Sequence, residues 1–323
     1  MKNSRKLLSI LVLFIMLGCE KNNKNIQQLV AINPLSYTDV AFSSIKDTVF
    51  VSTYSGRISK RIKEQDKEEL LIQLKDEVYS LQYSDKQNLV IASTLKSGIL
   101  FIDVHTGEIK KTLQIKKDTW LNSIFLSKDD NYLIGFDTKG NNHIWDLNND
   151  YKKLDFKKEL PNSFIRYVDK LGAFYYQTQG KYIKWNPTDK RIEKEYKISG
   201  KLVDINDNGD FLLLNFNEFR MFNSKADSLE FKNKHPYYIY KYSNGDTVHD
   251  PYQLKLTAAR FTMDKIYTSS LDQSIRVWNK IDGTLIDEWY LHNATISDID
   301  ISKNQKQLVS VDLKGEIRFW DLK

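Results

Sequence analysis

Apolar and polar residues alternate along this chain in short runs separated by turn-forming residues. A first kind of run ends in a small polar residue, as in "TDVAFS" (38–43), "VYSLQYS" (78–84), "LNSIFLS" (121–127) and "ISDIDIS" (296–302). A turn rich in Asp, Asn and Lys follows, such as "SKDDN", "NDNGD" or "SKNQK". A second apolar run comes next ("TVFVST", "LVIAST", "YLIGFD", "FLLLNF", "LVSVD"), then a tight turn, a third run and a fourth, for example "EIKKTLQI" (108–115) and "LIDEWYL" (285–291). Period-two runs of this length, rich in β-branched and aromatic residues, predict strands. Four per unit predict a small antiparallel sheet that repeats.

The third run fixes the period. "SIRVWNKIDGTL" (274–285) and "EIRFWDLK" (316–323) share Ile, Arg, an apolar residue, Trp and Asn or Asp, and Trp278 and Trp320 are 42 residues apart. Trp145 and Trp185 occupy the same slot 40 apart, and Ile102, Lys60 and Phe222 extend the series to seven. In the last such run Ile317 and Phe319 point one way, Arg318 and Trp320 the other, so both faces of the sheet need cover. Packing sheet on sheet around a ring covers both.

These seven units, spanning residues 26–323, resemble the WD40 family of β-propellers. The resemblance implies an all-β, seven-bladed ring. It also implies a bracing set in each blade: a Trp, a strand hydroxyl, a turn Asp and a loop His. Blade 6 matches with Thr268, Asp272 and Trp278, its His position falling on Tyr252; blade 7 matches with His292, Ser310 and Trp320, its Asp position falling on Lys314. No blade is expected to hold the full set. Trp145 and Trp185 are read as the same structural Trp in blades 3 and 4.

The last unit lacks a fourth strand, and "IQQLVAIN" (26–33) is a strand-like run with no place in blade 1. The expectation is that residues 26–33 supply that missing strand and close the ring.

The N-terminus changes the setting. Lys2, Arg5 and Lys6 precede an apolar stretch from Leu7 to Leu17, then Gly18 and Cys19, the single cysteine. A stretch of eleven residues falls short of the ~20 a helix needs to span a bilayer, and suits a signal peptide. The pattern resembles a bacterial lipoprotein signal, which implies cleavage after residue 18, lipidation of Cys19, a tether over 19–25 and anchoring at the cell envelope, at the outer membrane by the residue following Cys19. No intrachain disulfide is then available.

Charge narrows the partners. The chain carries 48 Lys+Arg against 42 Asp+Glu, a net +6, which falls to +3 once residues 1–18 and their three cations are removed. Acids and bases are interspersed, as in "KEQDKEE" (63–69), so nucleic acid is not an expected partner.

One interval is irregular. Phe222 and Trp278 are 56 residues apart, and "HPYYIYKYSNGDTVHDPYQ" (235–253) reads as an inserted hairpin turning at Asn244-Gly245. Tyr237, Tyr238, Tyr240, Tyr242, His249 and Tyr252 form its candidate partner-binding set, because tyrosines supply stiff contact area with a polar tip. His235 and His249 lack a third metal ligand at sensible spacing, and no metal or cofactor is expected.

Along the innermost strands, Asp39, Asp298 and Asp300 make an acidic patch that is the candidate catalytic group. There is no ring of carboxylates or histidines, no Gly-rich phosphate loop, no Gly-x-Ser-x-Gly and no His-Glu-x-x-His. The expected function is a non-catalytic, membrane-tethered protein-binding scaffold. A hydrolase or lactonase using the acidic patch is the rival, and a carbohydrate-binding propeller a third reading; Trp120 and Trp289, outside the repeated slot, are expected in strand cores.

Overall fold

The computed structural model describes residues 35–322, apart from 157, 159–162 and 170. Among these residues there is no helix. Six four-stranded sheets and one three-stranded sheet cover 37–73, 78–113, 121–154, 164–196, 201–234, 256–289 and 296–321, and each is an antiparallel meander in chain order. They are numbered blades 1 to 7.

The repeated slot holds at the level of register. Lys60 pairs with Phe50, Ile102 with Val90, Trp145 with Leu133, Trp185 with Phe174, Phe222 with Phe211, Trp278 with Ile266 and Trp320 with Leu308. The slot is thus the same point of the third strand in all seven blades.

Seven apolar clusters hold the ring, one at each blade-to-blade interface. Phe50 and Ala41 of blade 1 pack on Leu81 and Val90 of blade 2; Ile91 and Phe101 of blade 2 pack on Leu133 and Trp145 of blade 3. The series runs on through Ile144 with Trp185, Tyr182 with Phe211, Phe219 with Trp278, and Tyr267 with Leu308. The seventh cluster joins Val309 and Val311 of blade 7 to Val40, Val49 and Val51 of blade 1, all at most 2% exposed. Ile317 and Phe319 face that cluster while Trp320 faces blade 6, so the alternation in the last strand serves both neighbours.

Closure was expected to rest on residues 26–33. That strand lies outside the described residues, as does Cys19. The seventh cluster is a closure of a different kind, made by side chains. Polar links join the same two blades: Phe42 N–H donates to Asp300 (2.8 Å), Gln307 to Asp47 (2.8 Å) and Ser36 to the Leu313 carbonyl (2.7 Å).

The inner strands position the channel. Each pairs with its neighbour through a β-bulge near its start, for example between Tyr37 and Asp39, Leu202 and Asp204, and Ile296 and Asp298. A bulge re-aims the side chain that follows it. Asp39 thereby reaches blade 2, accepting from Leu81 N–H and the Ser80 hydroxyl (both 2.8 Å), and Asp204 reaches blade 6, accepting from Phe261 N–H (3.0 Å).

Candidate functional site

Two blades carry complete bracing sets, where none was expected. In blade 6 the Trp278 indole N–H donates to Thr268 Oγ1 (2.8 Å), Thr268 bonds His235 Nε2 (2.7 Å), and His235 Nδ1 bonds Asp272 (2.8 Å). An acceptor carboxylate on Nδ1 and a hydroxyl on Nε2 give the Nδ1–H tautomer. The histidine is therefore His235, not a residue at Tyr252, which is 67% exposed. The expectation failed because it counted back from the inner strand across the insertion. His235 directly follows the outer strand Ser228–Lys234, and the hairpin is inserted after it. The same placement a few residues after an outer strand, His292 after Leu285–Trp289, was the signal that could have located it.

Blade 7 is complete for a similar reason. Trp320 donates to Ser310 (2.8 Å), Ser310 bonds His292 Nε2 (2.6 Å), and His292 Nδ1 bonds Asp312 (3.1 Å). The acid is Asp312, two residues before Lys314, and its other oxygen accepts the Lys314 and Glu316 N–H groups (2.9 and 3.0 Å). A carboxylate can enter the same hydrogen bond from either end of a tight turn. Blade 3 holds part of the set: His143 bonds Asp137 (3.0 Å) and stacks on Trp145 (5.5 Å between centroids), while Gly135 stands where blades 6 and 7 place a hydroxyl. Trp185 of blade 4 is 1% exposed and packs against Phe156 and Phe174.

A comparison with protein-family models matches residues 283–321 to WD40, "WD domain, G-beta repeat". That span runs from the end of blade 6 through the third strand of blade 7, including His292, Ser310, Asp312 and Trp320. The fold is a WD40-like β-propeller. No curated protein matches the chain.

Among the described residues the propeller carries one addition to its seven blades, a hairpin of Tyr238–Lys241 and Thr247–Asp250. Gly245 turns it at a φ of +93°, and Tyr242 N–H donates to the Asp246 carbonyl (2.8 Å) across the turn. A left-handed turn residue favours glycine there.

Arg276, 0% exposed, fastens the hairpin base to blade 6. Its guanidinium donates to Asp272 (2.6 Å), Glu288 (2.6 Å), the Tyr290 hydroxyl (2.6 Å) and the Tyr237 carbonyl (2.9 Å). It also lies 5.1 Å from the Tyr237 ring centroid and 5.5 Å from that of Tyr290. Burial opposes charge on Asp272 and Arg276, and attraction to their partners outweighs it there. Burial would raise the Asp272 carboxyl, but His235, Arg276 and Ser274 draw it down to about 2. Burial lowers His235, keeping its imidazole neutral at ordinary pH. Burial would lower Arg276, and Asp272 and Glu288 raise it instead.

The candidate contact residues separate into two groups. Tyr237 and His249 stack at the base, 4.4 Å apart and nearly parallel, with the Tyr237 hydroxyl bonded to Glu288. Tyr240 (48% exposed), Tyr242 and Tyr252 reach solvent, with Tyr240 and Tyr242 edge to face at 4.9 Å and Val248 exposed opposite Tyr240. Tyr238 is half-buried and helps line a cleft of about 250 Å³ between the hairpin and Gln273, Tyr290 and His292.

The acidic patch is not free. Arg260 lies 3.3 Å from Asp298 and 3.9 Å from Asp300. Burial raises Asp39, and the Asp298 carboxylate beside it raises it further. Burial raises Asp300 to about 6 against the opposing pull of Arg260. With their oxygens committed to Arg260 and to backbone N–H groups, these carboxylates lack the open geometry of a metal cage. Among the described residues one group, His292, Asp312 and Glu316, places ligand-type atoms within 4.8 Å of one another. Both His292 nitrogens are already spent on Asp312 and Ser310.

Of the two tryptophans outside the slot, Trp289 ends the outer strand of blade 6 and stacks on Trp320 at 4.6 Å. Trp120 is not in a strand core. It is half-buried just ahead of Leu121–Leu126, with its indole bonded to Asn122 (2.7 Å).

Proposed function

We propose that this propeller is a non-catalytic protein-binding scaffold, held to the bacterial cell envelope by a lipid on Cys19, at the outer membrane, with the 235–253 hairpin as its contact surface. The observation that carries this reading is the contrast within the hairpin. Its base is locked by Arg276, while Tyr240, Tyr242 and Val248 are presented to solvent. A stiff apolar tip on a fixed base loses little conformational entropy on binding, which favours affinity. WD40 repeats commonly build surfaces for protein contact, which supports the same reading, although fold alone does not give function. The commitment of Asp39, Asp298 and Asp300 to Arg260 and backbone donors speaks against the hydrolase reading.

The test is capture from detergent-solubilised envelopes with the lipidated chain as bait. The reading expects a defined protein retained by the wild type and lost when Tyr238, Tyr240 and Tyr242 are changed to Ser. Metal-dependent ester hydrolysis abolished by Asp298→Ala would support the rival instead.

A further inference from the structure

The central channel encloses about 780 Å³ and is lined by the inner strands of all seven blades. Small-molecule sites typically enclose about 300–1,000 Å³. Five cationic side chains line it: Lys128, Arg166, Lys201, Arg260 and Lys303. Three of them are matched. Arg260 lies among Asp298, Asp300, Asp204 and Asp39, and these raise it despite its burial. Lys128 donates to the Ile205 carbonyl (2.9 Å) and lies 3.9 Å from Asp204. Lys303 pairs with Asp85.

Arg166 and Lys201 are different. They stand on the inner strands of adjacent blades, Phe164–Val168 and Lys201–Ile205. Arg166 spends its Nε on Gln177 (2.7 Å) and lays its guanidinium over the Phe136 ring, 5.1 Å from the centroid. Among the described residues no carboxylate pairs with either one. Desolvation lowers both, and for Lys201 the like charges of Arg166, Arg260 and Lys255 push the same way while Asp298 pulls against them. Arg166 is half-buried and Lys201 keeps its side chain open to the channel; an anion held between these two like charges offsets their repulsion.

We propose that the channel is a binding site for a small organic anion, whose carboxylate or phosphate group sits between Arg166 and Lys201. Phe125 and Phe136 give that side of the channel an apolar wall. Asp39, Asp298 and Asp300 gather around Arg260, so the channel has no further unmatched cation for a second anionic group. The site therefore takes a ligand with one charged end and an apolar body. This site is independent of the hairpin and of any protein partner.

The probes are benzoate, phenyl phosphate and the neutral benzyl alcohol, titrated into the full chain by calorimetry and thermal shift at low salt. Benzoate or phenyl phosphate should bind saturably and raise the melting temperature, and benzyl alcohol should not; which anion binds distinguishes carboxylate from phosphate. Lys201→Met and Arg166→Met should each weaken binding at least tenfold, while Lys241→Met on the hairpin should not change it. Without ligand, Lys201→Met should melt no lower than the wild type, since it removes an unmatched cation. The proposal is overturned if neither anion binds, if the alcohol binds equally well, if Lys201→Met binds as tightly as the wild type, or if that variant alone melts lower.

Discussion

Replacing Asp272 with Ala removes the acceptor at the meeting point of blade 6 and the hairpin. Four donors lose their partner: His235 Nδ1 (2.8 Å), Arg276 (2.6 Å), and the Ser274 N–H (2.9 Å) and hydroxyl (2.6 Å). The Asp272 and Arg276 side chains are 1% and 0% exposed, so solvent screening does not soften the loss. Removing one member of such a buried pair costs about 3–5 kcal/mol. At roughly 2–4 °C per kcal/mol for a large domain, the melting temperature should fall by about 6–20 °C. The double variant Asp272→Ala, Arg276→Met separates the cause. If the cost is mainly an unpaired buried cation, removing that cation as well should restore part of the loss, giving a coupling of about 1–3 kcal/mol in a double-mutant cycle. Differential scanning calorimetry of the four proteins reads both quantities. A shift under 2 °C for Asp272→Ala, or strictly additive losses, would refute the reasoning. The pH dependence adds a check of sign. Asp272 is drawn from 3.8 down to about 2 in the folded protein, so its contribution is present above pH 4 and is lost as pH falls toward 2. The penalty of Asp272→Ala should shrink over that window.

Three further outcomes are expected. Asp300 is raised from 3.8 to about 6, so its favourable contribution is lost as pH rises through 4 to 6; Asp300→Asn, which keeps an acceptor for Phe42 N–H, should gain in melting temperature relative to wild type across that range, and a constant difference would count against the assignment. Val309→Asp places a charge in the blade 7–blade 1 cluster and should abolish cooperative unfolding near neutral pH, whereas Val309→Ala should leave a folded protein weakened by about 1–3 kcal/mol, as measured by urea titration. Thr268→Val leaves the Trp278 indole N–H and His235 Nε2 without their buried partner and should cost about 2–4 kcal/mol, with a shift in tryptophan fluorescence; an unchanged emission maximum and stability would show that the set does not brace the blade.

Much of the fold was legible because it repeats. The alternation that marks one strand is ambiguous, but seven recurrences, with one interval widened by the insertion, are not, and the slot residues from Lys60 to Trp320 fall at one register. The outer strand of blade 5 and the hairpin were readable from the length of the irregular interval and from Asn244-Gly245. The bracing sets were only half legible. Their strand members obey the repeat, whereas His235 and Asp312 sit in connections whose length varies, so counting from a strand missed them. Arg260 and Arg276 were hidden for another reason. Each appears in the sequence as an ordinary strand residue, and only the approach of Asp298 from the next blade, or of Tyr237 from beyond the insertion, gives it a role. The bulges that turn Asp39 and Asp298 toward the channel likewise leave no mark in the alternation.

The scaffold reading rests on the exposed tip of the hairpin being a contact surface. A photoreactive phenylalanine analogue at Tyr240, 48% exposed, tests this in intact cells. The account predicts a discrete cross-linked protein that is absent when the analogue replaces Tyr196, a buried residue of blade 4, and that no longer binds the purified Tyr240→Ser, Tyr242→Ser variant. A hairpin tip that cross-links to nothing, or a cross-linked protein that binds the variant as tightly as the wild type, would contradict it.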